Sequence, residues 1–140
     1  MPDSIRKEFQ RALQFHKAGR LDSAEDAYLT LLINEPYHSS ALHNMGVILA
    51  QKHKQQEAIG YFDRAIVALP NYAEAFNNKG SALFALGKID QAVASYKESL
   101  KIRPGYWEAE LNLANALMKL NEQRKALDVY AKLLKIDPDN

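Results

Sequence analysis

Asn44, Asn78 and Asn112 recur at a spacing of 34 residues, and Gln10 stands at the same place one interval earlier. A primary amide carries both a donor and an acceptor, so each can bond the N–H and C=O of an extended peptide without reading its sequence. Repeated at fixed intervals, such amides form a ladder. Each bond is worth only about 0.5–1.5 kcal/mol net, and ordering a flexible peptide costs about 2–5 kcal/mol. Apolar anchors must supply the difference. Phe9, Leu13, Val47, Phe84, Leu111 and Met118 lie on neighbouring rows, with Asn115 among them. Together with the amides they are the candidate ligand-binding residues. The competing role for the amides is solvation or steadying a helix, and for the apolar residues ordinary packing.

Other chemistries find no support. The four histidines, His16, His38, His43 and His53, share no i, i+4 helical face, and there is no cysteine to assist them, so neither a metal site nor a thiol nucleophile is expected. No glycine-rich phosphate loop, nucleophile elbow or paired catalytic carboxylates occur. The expectation is a protein without catalytic residues or cofactor. Eighteen Lys and Arg against 17 Asp and Glu leave a net charge of +1, too weak a field to favour nucleic acid or an anionic membrane. No run approaches the roughly 18 apolar residues of a membrane span. The start, Met1 to Glu8, has no apolar secretory core, and a cytoplasmic location is expected. With 140 residues, 47% hydrophobic and 25% charged, the composition is that of a folded protein.

The elements that position these residues follow from the same period. Pro36, Pro70, Pro104 and Pro138 are spaced by 34 residues. So are the small residues Ala12, Gly46, Gly80 and Ala114, the alanines Ala24, Ala58, Ala92 and Ala126, and the aromatic set Tyr28, Phe62, Tyr96 and Tyr130. Four units fill the chain, at about residues 5–38, 39–72, 73–106 and 107–140. Within a unit the apolar period is helical. Breaks fall at Gly19, His53, Gly87 and Asn121, where Gly and Asn tolerate the left-handed backbone that ends a helix and His is less suited. Proline closes each second helix. The pattern predicts eight helices, at about 4–18, 22–34, 38–52, 56–68, 72–86, 90–102, 106–120 and 124–136. A pair of this length cannot bury its apolar stripe alone and must stack on its neighbours. The fold class is all-α, an α-solenoid of helix-turn-helix repeats.

These columns resemble the tetratricopeptide repeat family over nearly the whole chain. The third unit, Ala73 to Gly80 with Ala92, Tyr96 and Pro104, matches best, with Phe76 at the usual tryptophan place and Lys79 departing from the usual leucine. In the first, Glu8 and Arg11 replace large apolar residues, as suits an outermost face. The fourth has Glu110 at the tryptophan place and rests on Leu113, Leu117, Ala126, Tyr130 and Pro138. The resemblance implies antiparallel helices in a right-handed superhelix, with the first helices lining a concave groove that holds a protein or peptide partner. The amide row is similar to the asparagine ladder in the repeat arm of O-linked N-acetylglucosamine transferases. The family's carboxylate clamp for the Glu-Glu-Val-Asp tails of chaperones is not matched. Phe9 and Leu13 stand where its first Lys and Asn would, and one repeat later His43, Val47, Glu108 and Asn112 fail it again.

At the far end, Leu127, Val129, Leu133, Leu134 and Ile136 cannot all face inward on one helix. The expectation is that the chain continues or that this edge pairs with another copy as a homo-oligomer. Three functions remain open: a scaffold binding a partner's peptide or helix, a self-assembly element, and the substrate-recruiting arm of a larger enzyme such as a glycosyltransferase.

Overall fold

The computed structural model describes residues 2–136. They form seven α-helices and no strand: α1 Asp3–Lys17, α2 Leu21–Asn34, α3 Ser39–Gln51, α4 Gln55–Ala68, α5 Ala73–Ala85, α6 Ile89–Ile102 and α7 Trp107–Ile136. Each helix packs on the next along the chain, and α3 on α5 and α5 on α7 are also neighbours. The stack is a helical solenoid whose core runs along its length.

The turns inside the first three units share one closure. Gly19, His53 and Gly87 all have positive φ. The N–H three residues past each helix returns to a carbonyl inside it, Arg20 to Phe15, Lys54 to Leu49 and Lys88 to Leu83, at 2.8–2.9 Å, which satisfies carbonyls the helix end would otherwise leave open. Between units, Glu35, Leu69 and Arg103 are extended, as a following proline requires.

The small and aromatic columns interlock. Tyr28, Phe62 and Tyr96 are buried, as are Ala12, Gly46 and Gly80 of their units' first helices, and the Phe62 and Tyr96 rings lie against Gly46 and Gly80. A Cβ added at Gly46 would sit 2.5 Å from the Phe62 ring, and one at Gly80 would sit 2.6 Å from the Tyr96 ring. Burying such a ring fully is worth about 1.5–3 kcal/mol, which at Gly46 and Gly80 only the absence of a side chain permits. Lys79, the departure from the usual leucine, reaches back to Asp63 of α4 at 2.7 Å. On the outermost face, the Arg11 and Arg20 guanidiniums lie 5.4 and 5.1 Å from the centre of the Phe15 ring.

The fourth unit differs from the expectation. The predicted break at Asn121 is absent, so the helices expected at 106–120 and 124–136 are one 30-residue helix, and there are seven helices rather than eight. Two physical reasons account for this. Around Asn121 the sequence Lys119-Leu120-Asn121-Glu122-Gln123-Arg124 has no glycine to take the left-handed backbone, and all but Asn121 are strong helix formers. In the inner units the second helix is also held by the first helix of the next unit, and no such helix follows among the described residues. Consequently Ala114, Ala126 and Tyr130, whose equivalents elsewhere are buried, are exposed. The C-terminal apolar residues Leu127, Val129, Leu133 and Leu134 face solvent, whereas the side chain of Ile136 and the last proline, Pro138, lie outside the described residues.

Candidate peptide-binding face

The odd-numbered helices line one wall of the solenoid and carry the amide row, Gln10 on α1, Asn44 on α3, Asn78 on α5 and Asn112 on α7. Gln10 is exposed, and the three asparagines are half-buried.

Those asparagines are partly engaged with one another's neighbours. Asn78 Nδ2 donates to His43 Nε2 at 2.8 Å, His43 Nδ1 donates to Asn44 Oδ1 at 3.3 Å, and Asn44 Nδ2 donates to the Tyr28 hydroxyl at 3.1 Å. One neutral tautomer of His43, protonated at Nδ1, satisfies the whole chain of bonds. Burial holds the His43 pKa below the usual histidine range, against the opposing pull of the Asn44 bond and the Glu74 charge. The Tyr28 hydroxyl is pushed up by burial, partly offset by Asn44. Further along, Asn112 Nδ2 donates to Asn77 Oδ1 at 3.1 Å. These bonds use one donor of each amide. The carbonyl oxygens of Asn78 and Asn112 have no hydrogen-bond partner among the described residues.

Two hollows open on this wall. One, of about 290 Å³, lies between α3 and α5 and brings together Val47, Ala50, Gln51, Asn78, Ser81 and Ala82. The other, of about 370 Å³, lies between α5 and α7 and brings together Ser81, Phe84, Tyr96, Asn112 and Asn115. Neither is lined by a Lys, Arg, Asp or Glu. Burial pushes the Tyr96 hydroxyl up, partly offset by its bond to Ser81, so it too is uncharged at neutral pH.

The remaining candidates lie outside both hollows. Phe9 is half-buried, with its ring 6.1 Å from that of Tyr28 and 5.0 Å from that of His38. Leu13 is half-buried on α1, whereas Leu111 and Met118 are exposed on α7. Asn44 is drawn inward by Tyr28. His43 and Asn77, which the sequence did not single out for binding, are partners of the amides. The signal was a separation of 35 residues, one more than the repeat, which joins Asn78 to His43, Asn112 to Asn77, and His16 Nε2 to Gln51 Oε1 at 2.9 Å. His38 has a structural role, its Nδ1 accepting the Ala41 N–H at the start of α3.

Among the described residues no group of three or more His, Asp or Glu is placed to hold a metal ion, and no helix is long and apolar enough to cross a membrane. Two sequence profiles described as tetratricopeptide repeat match the chain, one over residues 8–73 and the other over residues 83–140. No curated protein matches it. Among solved structures, the first TPR of Spaghetti (RPAP3), bound to the HSP90 peptide SRMEEVD, is 24% identical with a TM-score of 0.81, the match covering 84% of this chain and 93% of that one. A mutant O-GlcNAc transferase of Thermobaculum terrenum is 27% identical with a TM-score of 0.78, over 82% of this chain but only 22% of the transferase. The second TPR domain of human RPAP3, in complex with the HSP70 peptide SGPTIEEVD, is 25% identical with a TM-score of 0.75, over 78% of this chain and 91% of that one.

Proposed function

The chain belongs to the tetratricopeptide repeat family, and on that footing we propose that its odd-numbered helices bind an extended, uncharged segment of a partner protein. The observation that carries this reading is the pair of hollows, each combining an amide with apolar carbon and neither holding a charged side chain. Asn78 and Asn112 bond the backbone of the segment through their unpartnered carbonyl oxygens. Small apolar side chains of the segment enter beside Val47 and Phe84. Packed helices lie about 8–10 Å apart and an extended chain advances about 3.3 Å per residue, so successive amides meet about every third residue. Gln10, Asn44, Phe9 and Leu13 extend the face toward the start of the chain. Leu111, Asn115 and Met118 extend it along α7.

This wall suits a neutral segment better than the acidic tails carried by the peptides in the two RPAP3 structures. Where the clamp of the family places basic groups, this chain has Phe9 and, one repeat later, His43, Glu108 and Asn112. The module is a binder rather than a catalyst. Presenting a substrate to an enzyme is one use of such a face, in keeping with the likeness to part of a transferase.

The test is selection of peptides from a random display library on the intact chain, followed by titration of the best binder. Changing Asn78 and Asn112 together to Ala removes two bonds worth about 0.5–1.5 kcal/mol each and should weaken binding about 5- to 150-fold. An unchanged affinity, or selection of peptides ending in clustered carboxylates, would refute the reading.

A further inference from the structure

Two asparagines of the amide row are held by the side chain that stands 35 residues before them. Asn78 Nδ2 donates to His43 Nε2 at 2.8 Å, and Asn112 Nδ2 donates to Asn77 Oδ1 at 3.1 Å. His43 and Asn77 occupy the same place in successive units, so one task falls to two different chemistries. An amide does not titrate. An imidazole gains a second donor when it is protonated, and does so close to neutral pH.

The His43 ring is clamped so that only one of its nitrogens can change partner. Nδ1–H donates to Asn44 Oδ1 at 3.3 Å, and Asn44 Nδ2 donates in turn to the Tyr28 hydroxyl at 3.1 Å. These bonds persist whether or not Nε2 carries a proton. The ring centre lies 4.9 Å from that of Tyr72 and 5.7 Å from that of Phe62, which bars the ring from swinging aside. A proton on Nε2 therefore faces the Asn78 amide nitrogen donor to donor. The smallest movement that relieves this is a half-turn of the Asn78 amide, which brings Oδ1 to the ring and sends Nδ2 the other way. Asn78 also lines the hollow between α3 and α5, so the half-turn exchanges an acceptor for a donor on that wall.

We infer that His43 is a positioning residue for the peptide-binding face: while neutral it turns the carbonyl of Asn78 toward the bound segment, and once protonated it turns the amide nitrogen there instead. The inference rests on the peptide-binding reading of this wall. A segment whose N–H meets Asn78 Oδ1 loses that bond on protonation, so peptide binding and His43 protonation oppose each other. Affinity is complete above the folded pKa of His43 and falls as pH drops through it. The groups around the ring set where this happens. Burial lowers the His43 pKa, while the Asn44 bond and the charge of Glu74 on α5 raise it, and Glu74 is itself paired with Arg103 at 2.6 Å. The hydroxyls of Tyr28 on α2 and Tyr72 ahead of α5 are pushed up by burial and stay uncharged. Phe62 of α4 is apolar.

The experiment has one arm without ligand and one with it. In the free, isotope-labelled chain, nuclear magnetic resonance follows the His43 ring nitrogens and the Asn78 side-chain amide as pH is lowered from about 7.5 to about 5. The neutral ring should carry its proton on Nδ1, and the Asn78 signals should shift with the same midpoint as the ring. For binding, the probe is a display-selected peptide with blocked ends and no Asp, Glu or His. Its affinity should fall about 2- to 12-fold across the His43 midpoint, with the helices intact by circular dichroism. His43→Phe, which keeps a ring but offers no acceptor, should bind more weakly at neutral pH and show a flat profile. His43→Asn, which copies Asn77, should recover affinity and keep the profile flat. Asn78 signals that ignore the His43 titration overturn the inference, as does a pH profile that survives in His43→Asn. The latter would point to His16, which bonds Gln51 of the same hollow at 2.9 Å. If no peptide binds at neutral pH, the peptide-binding reading fails, and the Asn78 signals alone uphold or overturn the role of His43.

Discussion

Replacing Gly80 by Ala tests the interlock on which the stacking depends. In an ordinary helix interior this change stabilises by about 0.5–1 kcal/mol. At Gly80 the new methyl would lie 2.6 Å from Tyr96 Cε1, 2.7 Å from Cδ1 and 3.0 Å from Cζ, distances that real contacts do not sustain. The ring has little room to retreat, because it is 3% exposed and its hydroxyl pairs with Ser81 Oγ at 3.1 Å. Overpacking of this kind costs about 1–3 kcal/mol, which offsets the propensity gain and leaves a net loss of up to about 2.5 kcal/mol. Gly60 provides the control. It is exposed in α4, and a Cβ there meets nothing within 4 Å, so Gly60→Ala should stabilise by about 0.5–1 kcal/mol. The assay is urea unfolding followed by helical circular dichroism, in which the two substitutions should move the midpoint in opposite directions. If Gly80→Ala moved it upward as Gly60→Ala does, the ring would not be seated on the glycine and the account of the small column would fail.

Three further outcomes are expected from the same measurement. His53→Gly should raise stability by about 0.5–1 kcal/mol, because φ is +63° there and a left-handed backbone costs a side-chain-bearing residue about 1–2 kcal/mol, part of which glycine's freedom in the unfolded chain offsets; a lower midpoint would contradict this. Ser99→Ala should cost about 1 kcal/mol, since the buried Ser99 hydroxyl donates to the Ala73 carbonyl at 2.8 Å and ties α6 to the start of α5, and no change in midpoint would dismiss that tie. The buried His43 should make stability depend on pH. Its folded pKa lies below its unfolded value of about 6.5, so its contribution is fully present above about pH 6.5 and is lost as pH falls through the folded pKa. Protonation would also aim a second N–H at the Asn78 amide, which now donates to it. His43→Phe should flatten the fall of the midpoint below about pH 6.5, and an unaltered slope would assign the loss to another group.

Most of the fold was legible in the spacing of a few residues, because helix ends are decided locally. Gly19 and Gly87 supply the backbone that ends a helix, and Pro36, Pro70 and Pro104 forbid its continuation; five of the seven helices accordingly end close to where those residues predict. The amide row was legible too, since a 100° step per residue places Asn44, Asn78 and Asn112 on one wall. Asn121 was not legible. Asn can end a helix or continue one for a few tenths of a kcal/mol, so the choice passed to packing, and a second helix held on one side only leaves the local preference of its neighbours to prevail. The partners of the amides were likewise decided in three dimensions. Whether an asparagine turns to solvent or to its own chain depends on which side chain stands beside it on the adjacent helix. His43 and Asn77 offer an acceptor to Asn78 and Asn112, whereas Phe9 offers none to Asn44, which turns to Tyr28 instead. The sequence by itself determined the rods, their order and their apolar faces, because these follow from torsions and periodicity. The tertiary structure decided that the last rod runs on through Asn121 and which polar groups remain open to a partner, because both depend on neighbours remote along the chain.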